Sequence, residues 1–242
     1  MSNLLRAELL KLRTTRTFAA LVGSAVALSL LVVVLTSILS KDITEQDARD
    51  LFTADFTGLF ILLLGVMGAA GEWRHRTITS SVLAAPDRTR LLAAKTIAYA
   101  LAGAVLSLIV SVTIMAVGTL ILSARGKPTV GIGDLVDVLW RNLTVSALLG
   151  AFGVCIGALV RNQVVAIIGL LIFAFVLEPT LANLVPSVGR FGPTSGAPNA
   201  IVGNTGHGDE HLRAGVAVVV MLGWIGAGFA AGAALLRGRD LL

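Results

Sequence analysis

The chain reads as an all-α integral membrane protein with six transmembrane helices, and three observations carry that reading. Long apolar runs separated by short charged loops fill almost all of its 242 residues. Hydrophobic residues make up 56% and charged residues 14%, against about 25% charged in a soluble domain. The mean hydropathy is +0.89, more apolar surface than a soluble fold of this size can hide from water. The apolar runs lack the alternation of a membrane β-barrel, and only helices satisfy their own backbone in lipid.

The uncharged windows cover residues 17–40, 56–71, 96–124, 142–160, 162–177 and 214–236. A hydrocarbon core of about 30 Å needs roughly 20 helical residues. The second and fifth windows give only about 24 Å at 1.5 Å per residue. The second is therefore extended back to Leu51 and Phe52, as 51–71, which places Asp55 near a water interface. The fifth is extended past Glu178, as 162–184. The expected organisation is one membrane domain over residues 1–242.

Loop charge sets the orientation. Twelve of the 19 Lys and Arg fall in the N-terminal segment, the second and fourth connections and the C-terminus, among them Arg6, Lys11, Arg13, Arg74, Arg76, Arg88 and Lys95. The opposite loops are longer and hold fewer, so both termini are expected in the cytoplasm. The net charge of +5 then reads as orientation and attraction to membrane lipids. No basic run stands clear of the spans, which argues against nucleic acid. The first span follows a charged start but is too long for a signal-peptide core, and it reads as an uncleaved anchor. Cys155 is the only cysteine, so no intrachain disulfide forms.

Ahead of the first span, Leu5, Leu9 and Leu12 share a helical face. With basic residues beside them they predict an N-terminal helix lying in the membrane interface, the alternative being a fraying extension of the span. In the second connection Ile78, Val82 and Ala85 fall on one face of a short helix that Pro86 would stop. Asp87 is then placed to cap the next helix. A short apolar-faced helix of this kind suits a groove on another protein, or lies on headgroups as an ordinary amphipathic loop.

These features, in this order, resemble the permease subunits of the type-2 exporter class of ABC transporters. The resemblance spans essentially the whole chain. It rests on the basic leading helix, the six spans and Glu72-x-Arg74-x-Arg76-Thr77-Ile78 followed by Pro86 and Lys95. Arg161-Asn162-Gln163 opening the fifth span, Glu178-Pro179 ending it and Pro193 beyond complete it. The resemblance implies a bacterial cell-membrane protein working as a homodimer with a separate ABC-type ATPase subunit. It makes residues 77–85 a cytoplasmic coupling helix, with Glu72, Arg76, Thr77, Ile78, Val82, Ala85 and Pro86 as coupling residues. Glu72 would pair with Arg76 at i+4, or the two form an ordinary exposed pair. The loop 179–213 would fold back toward the membrane. ATP would be bound by the partner subunit and no cofactor by this chain, which has no G-x-x-x-x-G-K-[ST] and is not expected to be an enzyme.

Other residues invite competing readings. Glu178 is an acid at the end of a span, either the proton or cation site of an ion-coupled transporter or channel-like membrane protein, or a polar residue holding a re-entrant turn. Gly131-Ile132-Gly133-Asp134 matches a short intramembrane aspartyl protease pattern, but Asp134 lies in an expected loop without a second acid. His207 and His211, with acids between, have ligand spacing but sit among glycines that favour a loop. Gly153-xxx-Gly157 and Gly228-xxx-Gly232 permit close helix approach. A membrane anchor for another complex remains a third class.

Overall fold

In the computed structural model, residues 2–40, 42–74, 87–160, 162–203 and 212–237 are described. They form helices joined by short loops, with no strand among the described residues. The order is α1 (Ser2–Thr14), α2 (Arg16–Leu39), α3 (Glu45–Leu51), α4 (Thr57–Arg74), α5 (Arg88–Ala124) and α6 (Ile132–Leu159). Then follow α7 (Gln163–Ile172), a π-helical turn (Phe173–Leu177), α8 (Glu178–Leu184), α9 (Pro186–Gly189), α10 (Gly196–Val202) and α11 (Ala214–Arg237). Among the described residues five helical stretches are long and apolar enough to cross a membrane: α2, α5, α6, α7 through α8, and α11. Thr57–Glu72 in α4 is apolar but shorter.

Helices α4, α5 and α6 form the centre, and α6 makes the most extensive contacts with both others. Glycines set that closeness. A Cβ on Gly65 of α4 would lie 2.8 Å from the Gly150 carbonyl oxygen of α6, and one on Gly153 would overlap the Leu62 carbonyl. Both small-residue motifs are used within the chain. Gly153 and Gly157 of α6 face α4, while Gly228 and Gly232 of α11 face Cys155 and Ala158 of α6. Leu62, Val66, Phe152, Leu170, Ile201 and Met221 fill one side of the core. Leu12, Ile61, Leu64, Leu92, Tyr99 and Leu236 fill the other.

Several boundaries differ from the sequence reading. The second apolar helix starts at Thr57, not at Leu51. Leu51 ends α3, whose capping box joins Thr44 and Asp47: the Asp47 N–H donates to Thr44 Oγ1 (3.1 Å) and the Thr44 N–H to Asp47 Oδ2 (2.9 Å). Asp55 then accepts from the Thr57 N–H (2.8 Å) at the start of α4. Its other oxygen accepts from Ser107 Oγ (2.5 Å) and Ser111 Oγ (2.8 Å), placing it against the middle of α5. Asn142 Nδ2 closes this network by donating to Ser111 Oγ and to the Phe52 carbonyl, both at 3.0 Å.

Helix α5 begins eight residues before the expected span, at Arg88, with Asp87 as its cap accepting from the Thr89 and Arg90 N–H groups. Helix α6 begins at Ile132, so Asp134 lies in its first turn and not in a loop. There Asp134 stands 3.9 Å from Arg49, while Asp137 pairs with Arg49 and with Arg141, each at 2.7 Å. These pairs let α6 run ten residues beyond its apolar window.

The leucine face of α1 does not lie free for lipid. Leu12 is buried and Leu5 and Leu9 pack beside it, against Leu64, Leu92, Tyr99 and Leu236. Past α8 the chain folds back on the bundle, with Ala197, Ala200 and Ile201 of α10 buried against α6 and α11.

Candidate functional site

The end of the bundle at which α1 lies carries an ionic cluster, largely buried apart from Lys11. Lys95 projects from α5, Glu72 from the last turn of α4, and Glu8 and Lys11 from α1. The Lys95 ammonium is 2.8 Å from Glu8 Oε2 and 3.0 Å from Glu72 Oε1, and it also donates to the Gly68 carbonyl (3.3 Å). Lys11 reaches the same two acids, at 2.9 Å from Glu8 Oε1 and 3.3 Å from Glu72 Oε1. Glu8 and Lys95 are only 3% and 4% exposed, so their charges are sustained by each other and not by water. Burial alone would raise the Glu8 pKa, but Lys95 and Lys11 outweigh it and hold the carboxyl below its ordinary value. For Lys11, burial acts downward and the two glutamates outweigh it, raising the ammonium's pKa.

Local sequence explains this assembly. On α1, Glu8 falls on the same face as Leu5, Leu9 and Leu12, so burying the leucines buries the acid. On α5, Lys95 shares a face with Leu91, Leu92, Ala98 and Tyr99. An acid on an apolar stripe was the available signal for Glu8, which the sequence reading passed over. Beside the cluster lies a cavity of about 500 Å³, lined by Glu8, Lys11, Glu72 and Lys95 together with Leu12, Phe18, Leu64, Met67, Tyr99 and Gln163.

Of the expected coupling residues, Glu72 is in this cluster, two residues before the end of α4. Arg76, Thr77, Ile78, Val82, Ala85 and Pro86 lie outside the described residues. So do His207 and His211.

Glu178 occupies a second polar centre, far along the chain from the first. It is 2% exposed. Its Oε1 accepts from the Ser195 N–H (2.6 Å), Ser195 Oγ (2.8 Å) and the Gly196 N–H (2.9 Å). Its Oε2 accepts from the Thr194 N–H (2.9 Å) and from the Thr194 hydroxyl. The carboxylate thus ties the start of α8 to the segment leading into α10. The preceding π turn follows from Pro179, which has no N–H to donate and whose ring crowds the carbonyl four residues back. The helix widens there, and the Glu178 N–H donates to the Phe173 carbonyl.

No curated protein matches the chain. A family model described as ABC-2 family transporter protein matches residues 4–177. That stretch takes in α1, the ionic cluster, the central helices and Gln163, ending one residue before Glu178. With its apolar helices and this match over most of its length, the chain belongs to the ABC-2 family of transporter proteins and is a multi-pass membrane component.

Proposed function

We propose that this chain is the permease subunit of an ATP-driven ABC exporter. Two copies form the translocation pathway, and each docks a separate ATPase subunit that binds the ATP. The short apolar helix Thr57–Glu72 counts as a sixth span, and both termini face the cytoplasm of a bacterial cell. The coupling segment is residues 77–85, with Ile78 and Val82 on the docking face.

One observation carries this reading. Glu72 lies in the last turn of α4, five residues before the proposed coupling segment begins, and is ion-paired to both α1 and α5. Force that reaches α4 at Glu72 is therefore shared with α1 and α5. The ion-coupled alternative would use Glu178, whose oxygens are occupied by donors from Thr194, Ser195 and Gly196. That arrangement favours a clamp for the returning loop over an ion site.

The test is co-purification from mild detergent. A P-loop ATPase should accompany the wild-type chain, and Ile78→Asp should lose it while still inserting in the membrane. Equal ATPase recovery with the variant would remove residues 77–85 from the docking role. A homomer that transports alone would replace the exporter reading with the ion-coupled one.

A further inference from the structure

A second cavity, of about 550 Å³, lies between α7 and α11 over a floor supplied by α6. Its lining runs from Val160 and Val165, where α6 gives way to α7, to Phe173, Pro193 and Trp224. Every side chain on it is apolar except for the Trp224 indole N–H, and that group donates to the Phe191 carbonyl (2.9 Å). The cavity is a groove with an exposed edge. Val165 is 58% and Trp224 43% exposed, while Phe152 and Leu170 at its base are 3% and 6% exposed. Small residues hollow it. Ala166 and Gly169 of α7 line it with Ala227, Gly228 and Ala231 of α11, and a Cβ on Gly169 would meet nothing within 4 Å. Helix α7 packs mainly on α4 and helix α11 mainly on α6, so neither closes the gap.

The groove's chemistry and dimensions select its occupant. Water finds no hydrogen-bond partner in an apolar cavity, and a polar ligand would lose its hydration for nothing in return. Left empty, the groove would forfeit dispersion contacts along its whole lining. A helix of a second copy is too thick to fill it. From Val165 to Phe173 the groove is about 12 Å long, at 1.5 Å per residue. Spread over that length, its volume gives a cross-section of about 45 Å², against roughly 80 Å² or more for a helix 10–12 Å across. A slot this narrow takes a flexible hydrocarbon chain. Its walls belong to stretches long and apolar enough to cross a membrane, so lipid tails are what its exposed edge meets. One end of the slot lies where α6 ends and α7 starts, the level at which a headgroup stands when its tail lies along the helices.

We propose that this groove holds one acyl chain of a bilayer phospholipid, lying along α7 with its end against Trp224 and Pro193. The proposal goes beyond the permease reading. It rests on α6, α7 and α11 lying in the bilayer, and not on ATPase docking.

The full-length chain is reconstituted in vesicles of phosphatidylethanolamine and phosphatidylglycerol that carry a trace of phosphatidylcholine with a diazirine on one acyl chain. It is then washed in mild detergent to strip bulk lipid. Native mass spectrometry counts the phospholipid retained, and irradiation followed by digestion maps the diazirine. One phospholipid per chain should survive the wash. Adducts should fall on Phe152, Gly169, Phe173 and Ala227, and few on Leu35 or Val219, which are exposed elsewhere. Gly169→Phe, which fills the groove from α7, should lower retention by about tenfold. Gly23→Phe, which also enters open space but on α2, should leave it unchanged. Ala231→Leu narrows the groove from α11 and decides the matter should Gly169→Phe fail to fold. Retention unchanged in the filled variants would overturn the proposal, as would adducts spread evenly over the exposed apolar residues. A dimer that retains no phospholipid would also overturn it and assign the groove to a second copy. ATPase co-purification is scored separately, so its loss would count against the permease reading and not against this site.

Discussion

Lys95 keeps two carboxylates in a space that water barely reaches. Removing one member of a buried ionic cluster leaves the others uncompensated, typically at a cost of about 3–5 kcal/mol. Lys95→Met should therefore lower the unfolding midpoint in detergent markedly and free α1 to proteolysis. Acid should act on the same contact. Because the Glu8 pKa is held below its ordinary 4.5, its stabilisation is complete above that value and is lost as pH falls through the lower folded value. Lys11 is shifted upward from 10.5, so its contribution is present below that pH and disappears only in stronger alkali. Between these limits α1 should stay docked, and proteolysis of α1 across pH should show release on the acid side below about 4.5. Glu178→Gln makes a separate test. It keeps the shape but replaces one acceptor oxygen with a donor facing donors, with an expected loss of about 2–3 kcal/mol. Transport by the ATPase-coupled complex should fall only as far as the amount of folded protein falls. A transport loss at full folded yield would restore Glu178 as an ion site.

At the level of the helix, the approach of α4 to α6 is set by glycine. Gly153→Val would drive a side chain into the Leu62 backbone, with an expected cost of about 1–3 kcal/mol from overpacking. Thermal unfolding in detergent would register it, and Gly23→Val, where a Cβ meets nothing within 4 Å, is the control. Helix existence was legible in the sequence because an apolar run must satisfy its own backbone in lipid. Helix ends were less so. Asp87 announced the start of α5 by its position after Pro86. The start of α4 depends on Asp55 meeting Ser107 and Ser111, residues more than fifty positions away. Likewise the α1 leucines were visible as a stripe, but periodicity does not say whether lipid or protein covers it. The bundle does, through Leu64, Leu92 and Leu236. Glu72 stood out in the sequence by its place before residues 77–85, whereas its contacts with Lys11 and Lys95 arise only from the packing of three helices.

Taken whole, the molecule has a close-packed centre of α4, α5 and α6 and a looser circumference of α2, α7 and α11. Large apolar side chains stand exposed around that circumference, including Leu35 and Leu39 on α2, Val165 and Ile168 on α7, and Val219 and Leu222 on α11. Lipid or a second copy must cover them. The exporter reading calls for a second copy on part of this surface, and native mass spectrometry of the purified complex should give two permease chains with two ATPase chains. A one-to-one complex would end the homodimer expectation while leaving the docking segment untouched.

The π turn at Phe173–Leu177 also constrains how this chain tolerates change. A π turn is equivalent to an α-helix carrying one surplus residue. Deleting a single residue within it would let the segment close into a regular α-helix with the flanking residues still in register, and Glu178 should keep its place beside Thr194 and Ser195. A deletion in the regular part of the helix before it has no such slack: every later side chain would swing by about 100° around the axis, and Glu178 would leave its donors. The helix thus absorbs a one-residue shortening at its irregularity and nowhere else along its length.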